Sequence, residues 1–323
     1  MKQIIPSDSL QSQTKQSPAL YYLAGLSESG RYTMHHALNQ LAGMLSRGKD
    51  DALSFAWHGL RFEHVTAIRT HLQEAGYLPA TVNKFLFALR GVLRAAWLSG
   101  QLSADDYHKA ASVRTVKNET LPAGRELQSG EITALMETCE RVPGPAGVRD
   151  AAIVGVMYSA GLRRAEVVTL ALSDYDLETG KATIKGKGRK ERTAYIIGGA
   201  ALALADWLAI RGDAPGALFV PINKAGKITI REKMDSKSIY AMLRKRAGEA
   251  GVKPFSPHDL RRTFVSDLLD SGADVVTVSK MAGHAKITTT ARYDRRPEEA
   301  KRKAAGLLHV PYRGMNKLIV NKD

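Results

Sequence analysis

Six side chains have types and spacings that could do chemistry on a phosphate: Arg163, Lys187, His258, Arg261, His284 and Tyr293. They fall in three stretches. In YSAGLRRAEV, Arg163 follows a Gly161-Leu162 helix stop and stands at the start of the next helix. Free N–H groups and the helix dipole favour an anion at such a place. In GKGRKER, Lys187 lies between two glycines at a tight turn, so the backbone can approach a groove and the ammonium projects on a flexible stem. In the third stretch, His258 and Arg261 are three apart on a helix opening at Ser256-Pro257, and so share a face. His284 follows Gly283 at a helix end, and Tyr293 comes nine residues later in HAKITTTARYDRR.

This set suits attack on a phosphodiester without a metal. A hydroxyl attacks phosphorus, cations neutralise the nonbridging oxygens, and a donor protonates the leaving 5′ oxygen. Arginine's planar fork grips two phosphate oxygens and keeps its charge. A preorganised donor in a dry site lowers such a barrier by about 3 kcal/mol. Taken singly, each stretch has a plainer reading. Arg163 could be a solvated arginine, as is expected of Arg164, and GKGRKER a solvated hairpin tip. A lone histidine is more often a structural residue. Arg262 points away from the His258–Arg261 face and is expected to be structural or to touch a backbone phosphate. Tyr293 stands among Arg292, Asp294, Arg295 and Arg296, a setting that suits a core tyrosine poorly.

The positioning elements follow from periodicity. A helix is expected from near Glu131, capped by Ser129, and another from about Arg149 to Ala160, stopping at Gly161. RAEVVTLAL continues as a short helix. The period then changes: KATIK and RTAYII read as strands of a small antiparallel sheet joined at the Gly-Lys-Gly turn. Helices return in ALALADWLAI, SKSIYAMLRKRAGEAG, HDLRRTFVSDLLDSG and ADVVTVSKMAG, followed by two short ones. Upstream, YTMHHALNQLAGMLSRG, FEHVTAIRTHLQEAG and ATVNKFLFALRGVLRAAWLSG carry apolar residues three and four apart. The fold class is therefore mainly α with a small antiparallel β-sheet. Residues 1–17 are expected as a flexible polar arm, 18–111 as a helical domain, 112–125 as a linker, and 126–323 as the catalytic domain with a tail helix.

Composition agrees with a polyanionic partner. The 323 residues carry a net charge of +15. Net charge is +4 up to residue 123 and +11 beyond it, so a partner could run across both regions. The single cysteine, Cys139, excludes an internal disulfide and cysteine-rich zinc sites, and reads as a small buried apolar residue in a reducing compartment. The N-terminus lacks the apolar core of a signal peptide, and no apolar run reaches membrane-spanning length, so no membrane partner is expected.

With these residues in view, the chain resembles the tyrosine recombinase (phage integrase) family, including its Cre-like, Xer-like and transposon-borne members. AGLRRAEVVTL is similar to the first arginine box, GKGRKER to the β-hairpin lysine box, and HDLRRTFVSDLLDSGADVVTVSKMAGHAKITTTARY to the second box. GYLPATVNKFLFALRGVLRAAWLSGQL is more weakly similar to the helical core-binding domain. The resemblance implies that Tyr293 attacks the scissile phosphate, leaving a 3′-phosphotyrosine and a free 5′-hydroxyl. It implies a phosphate clamp of Arg163 and Arg261, a general acid in Lys187, proton transfer with Tyr293 by His258, and a phosphate hydrogen bond from His284. Glu166 would orient the site. Double-stranded DNA with a specific site is the implied partner, held in a C-shaped clamp. A homotetramer would exchange strands through a Holliday junction, with the tail around Ala304, Leu307 and Leu308 docked on a neighbour. No metal or cofactor is implied, and the setting would be the cytoplasm and nucleoid of a prokaryote. Ala282 departs from the leucine usual before Gly-His, which removes volume near His284. The likeness of YDRRPEEAKRKAAGLLHVPY to transposon-type integrases favours a mobile element. A type IB topoisomerase, a noncatalytic DNA-binding regulator and a metal-dependent nuclease are the competing readings.

Overall fold

The computed structural model describes residues 17–117, 124–186, 191–223, 225–230, 232–294, 302 and 305–312. The chain divides into two compact units, Met1–Leu121 and Pro122–Asp323. Among the described residues no helix is long and apolar enough to cross a membrane. The expected arm lies almost wholly outside the described residues.

The first unit is all helical: α1 (Pro18–Ala24), α2 (Glu28–Ser46), α3 (Phe62–Glu74), α4 (Pro79–Leu98) and α5 (Ala104–Ala111). Helix α4 is its axis and packs on the other four. Val82, Phe85, Leu86, Leu89, Val92, Leu93 and Ala96 make a helical stripe that is buried along its whole length. Pro79 opens the helix, where its missing N–H costs nothing. Gly91 in mid-helix admits α1, because a Cβ there would sit 2.2 Å from the Tyr22 ring. The first part of the expected linker is not free: Asn83 exchanges two 2.8 Å hydrogen bonds with the backbone of Val116.

The second unit contains α6 (Ser129–Arg141), α7 (Pro145–Ser159), α8 (Arg164–Thr169), β1 (Lys181–Lys185), β2 (Glu191–Tyr195), α9 (Gly199–Arg211), α10 (Ser236–Glu249), α11 (Pro257–Asp270), α12 (Val275–Ala282) and α13 (Ile287–Ala291). Its core gathers α7, the sheet and α9 around Trp207 and Phe219, both fully buried. The strands pair antiparallel, with Ala182 opposite Ala194 and Ile184 opposite Arg192. Past β2, the Ile196 N–H still donates to the Gly180 carbonyl.

Two helix starts differ from the expectation. Helix α6 begins at Ser129 with Gln128 as N-cap, because the Glu131 carboxylate reaches back to the Gln128 N–H at 2.9 Å. Arg125 grips the same carboxylate, which fixes the far side of the expected linker on this unit. Helix α7 begins at Pro145 rather than near Arg149, because Gly144 at φ +79° turns the chain and Pro145 enters at N1.

Gly161 links the core to the arginine region. It sits at φ +59°, and a Cβ would meet the Phe264 ring at 2.4 Å. Gly161→Ala is expected to lower stability by about 2 to 4 kcal/mol, from left-handed backbone strain plus overpacking. Denaturant unfolding at neutral pH measures it.

Candidate active site

Helix α12 closes with Gly283 in the left-handed conformation, and the His284 N–H returns to the Ser279 carbonyl at 3.0 Å. Such an end exposes carbonyl oxygens and carries the negative end of the helix dipole. Three arginines from three other elements meet it. Arg192 Nε on β2 donates to Met281 O at 2.9 Å. Arg261 Nη2 on α11 donates to Ala282 O. Arg163 Nη2, from the residue capping α8, donates to Gly283 O at 3.1 Å. Consecutive carbonyls thus hold consecutive guanidinium groups side by side.

One carboxylate completes the arrangement. Glu166 is 6% exposed. Its oxygens accept both Arg192 Nη groups at 2.9 Å, Arg163 Nη1 at 2.8 Å and the Arg163 backbone N–H at 2.9 Å. Burial opposes its charge, but the hydrogen bonds from Arg192 and Arg163 outweigh it and hold the carboxyl below its ordinary range. Glu166 therefore ties Arg163 and Arg192 together.

Arg261 is 2% exposed and also donates to Gly161 O at 2.6 Å. Burial, then the like charges of Arg163 and Arg192, push its guanidinium down to about 9. His258 is solvent-exposed, yet partial desolvation and the neighbouring Arg261, Arg262 and Arg163 lower its pKa. Arg163, His258 and Arg261 line one cleft of about 420 Å³ with Arg164, Tyr240 and Ser256. Neutral imidazoles, three cations and one carboxylate leave a positive excess that a phosphate would offset.

His284 lies close enough to Arg261, Arg163, His258 and Arg192 to feel their charge. Burial first, then those cations, hold its pKa down at about 4. Its Nδ1 is 2.8 Å from Thr290 Oγ1. Tyr293 departs from the expectation of a poor core position. It is 9% exposed and packs with Phe264, Val265, Leu269, Val278 and Ala282. The charged neighbours in sequence do not decide this, because the turn after α13 directs the ring inward onto α11 and α12 while Arg292 stays exposed. The Arg262 guanidinium stands 5.6 Å over the ring, and its Nη1 donates to Gly124 O, so Arg262 has a structural place. Ala282 is fully buried beside Tyr293, where a larger side chain would compete for the same volume. Lys187 lies outside the described residues.

The sequence reading missed Arg192 and Thr290. Arg192 shares the inward face of β2 with buried Ala194. An arginine on an inward strand face needs a partner, and that was the available signal. Cys139 is buried as expected, and burial pushes its thiol up to about 12.

A pH dependence of stability follows. The folded-state pKa of His284 is depressed from 6.5 to about 4, so the unfolded chain takes up a proton first as pH falls. Stability contributed by the neutral ring is present above about 6.5 and is lost as pH drops toward 4. His284→Gln, which cannot be protonated, is expected to lose less stability between pH 7 and pH 4.5 than the parent. Denaturant midpoints at the two pH values measure the difference.

Residues 125–299 match the phage integrase family. The tyrosine recombinase XerC of Roseiflexus castenholzii is 30% identical over 247 residues, which span 74% of this chain and 75% of that one. The tyrosine recombinase XerC of Vibrio parahaemolyticus is 34% identical over 217 residues, 64% of each chain. Among solved structures, the Tn1549 transposon integrase in complex with circular intermediate DNA superposes with a TM-score of 0.63 at 16% identity, covering 91% of this chain and 99% of that one. The XerH site-specific recombinase bound to palindromic difH substrate gives 0.64 at 20% identity, covering 86% and 79%. These structures share the fold, mainly α with one small antiparallel sheet. The chain thus belongs to the phage integrase family, and it is a tyrosine-type site-specific recombinase.

Proposed function

We propose that this recombinase cuts each DNA strand by attack of the Tyr293 hydroxyl on a phosphodiester. The O–P bond to Tyr293 forms, the bond to the 5′ oxygen breaks, and a 3′-phosphotyrosine and a 5′-hydroxyl result. Arg163 and Arg261 hold the nonbridging oxygens, and His284 donates a hydrogen bond to one of them. His258 exchanges the proton of Tyr293, and Lys187 protonates the leaving 5′ oxygen. Attack by a 5′-hydroxyl of another strand reverses the chemistry and rejoins the DNA. The phosphodiester energy is conserved in the tyrosine link.

The observation that carries this reading is the row of three guanidinium groups on the end of α12, two of them held by Glu166, with Arg163 and Arg261 opening on one cleft with His258. A fixed row of cations suits the charge that builds on phosphorus oxygens during attack. The basic balance of both units supports duplex DNA as the substrate. The XerH and Tn1549 neighbours are recombinases described in complex with DNA.

Further steps belong to the same proposal. Four protomers bring two sites together and exchange strands in two rounds through a Holliday junction. The helical unit acts as the core-binding half of the clamp. The tail residues Leu307, Leu308, Val310 and Tyr312 are 74–86% exposed, which supports docking on a neighbouring protomer. The likeness of residues 293–312 to transposon-type integrases supports a mobile element as the DNA served, acted on in the bacterial cytoplasm.

A nicked duplex that loses the short fragment bearing the new 5′-hydroxyl after cleavage tests the chemistry. The parent protein is expected to become trapped on the 3′ end in EDTA, and Tyr293→Phe is expected to give no trapped complex. Equal trapping by Tyr293→Phe would overturn the assignment. Relaxation of supercoils with no preferred site would favour the topoisomerase reading.

A further inference from the structure

We propose that Thr290 is a positioning residue of this active site, its hydroxyl setting the tautomer of His284 and its carbonyl setting the backbone of Tyr293. The inference rests on the roles of His284 and Tyr293 proposed above. Three threonines follow one another in α13, and only Thr290 is buried; its exposure is 0% while Thr288 and Thr289 face solvent. Its Oγ1 lies 2.8 Å from His284 Nδ1, and its carbonyl accepts the Tyr293 N–H at 2.9 Å. A single residue thus touches both the imidazole and the tyrosine.

The direction of the first hydrogen bond follows from satisfaction of donors. A buried hydroxyl that donates to nothing is costly. Among the described residues, His284 Nδ1 is the one side-chain partner of this hydroxyl. The Thr290 proton therefore goes to Nδ1, which must be the acceptor nitrogen, and the ring's own proton resides on Nε2. Burial together with Arg261 and His258 on α11, Arg163 before α8 and Arg192 on β2 keeps the ring neutral at pH 7. Tautomer rather than charge then decides what His284 offers. With the proton on Nε2, the ring presents an N–H donor to a nonbridging phosphate oxygen. With the proton on Nδ1, it would present a lone pair to that oxygen and repel it.

Nitrogen-15 NMR of histidine-labelled protein reads the tautomer directly, with the His284 signals assigned from His284→Gln. The parent and Thr290→Ser are expected to show the Nε2–H form. Thr290→Val, which keeps the side-chain volume and lacks the hydroxyl, is expected to show a population of the Nδ1–H form. On the nicked duplex, Thr290→Val should slow trapping roughly tenfold, the worth of one hydrogen bond, and Thr290→Ser should restore most of the rate. If Thr290→Val fails to fold, Thr290→Ala replaces it as the hydroxyl-free variant. An unchanged tautomer or an unchanged rate in the hydroxyl-free variant overturns the proposal. If the parent protein forms no tyrosine-linked complex, the proposed function fails, while the nitrogen shifts still decide whether Thr290 sets the tautomer.

Discussion

The end of α12 is the constraint on which the rest of the site depends. Three successive carbonyls, of Met281, Ala282 and Gly283, each accept a guanidinium N–H, from Arg192, Arg261 and Arg163 respectively. These arginines come from a strand, a buried helix and a helix cap that are far apart in sequence. Without the helix end they would repel one another. The carbonyl dipoles and the Glu166 carboxylate offset that repulsion and leave the row in place before any phosphate arrives.

The surrounding fold can be understood as support for that row. Gly283 must adopt φ +62° to end the helix, and a Cβ there would crowd Arg192 Cδ at 2.9 Å. Gly161 holds its carbonyl against Arg261 and passes beneath the Phe264 ring. Helix α11 is buried on nearly all sides, so Arg261 has little freedom to leave. Such rigidity has a chemical consequence. A cation fixed in advance needs no reorganisation when charge appears on phosphorus oxygens. The depressed pKa values of Arg261, His258 and His284 report burial first and then the crowding of positive charge, the part that an incoming phosphate would relieve.

Much of this was legible in the sequence. Helical and strand periods placed α3, α4, α8, β1, α11 and α12 closely, and the gathering of Arg163, His258 and Arg261 followed from their boxes. What escaped depends on contacts distant in sequence. Arg192 gains meaning only when β2 packs beside α12, 89 residues away. Thr290 looks like the two threonines before it until burial singles it out. The flanking charges of Tyr293 do not reveal its surroundings, because a turn sends its ring into a small core of α11 and α12. The start of α7 was hidden behind a Pro-Gly-Pro stretch that reads locally as loop.

The identity of the residue that carries DNA tests the central claim most directly. Trapped complex would be digested with protease and nuclease, and the nucleotide-bearing peptide sequenced by tandem mass spectrometry. The account predicts one modified peptide, with a 3′-nucleotide phosphate on the phenolic oxygen of Tyr293. A nucleotide on any other residue, or cleaved DNA with no peptide-linked nucleotide, would contradict it.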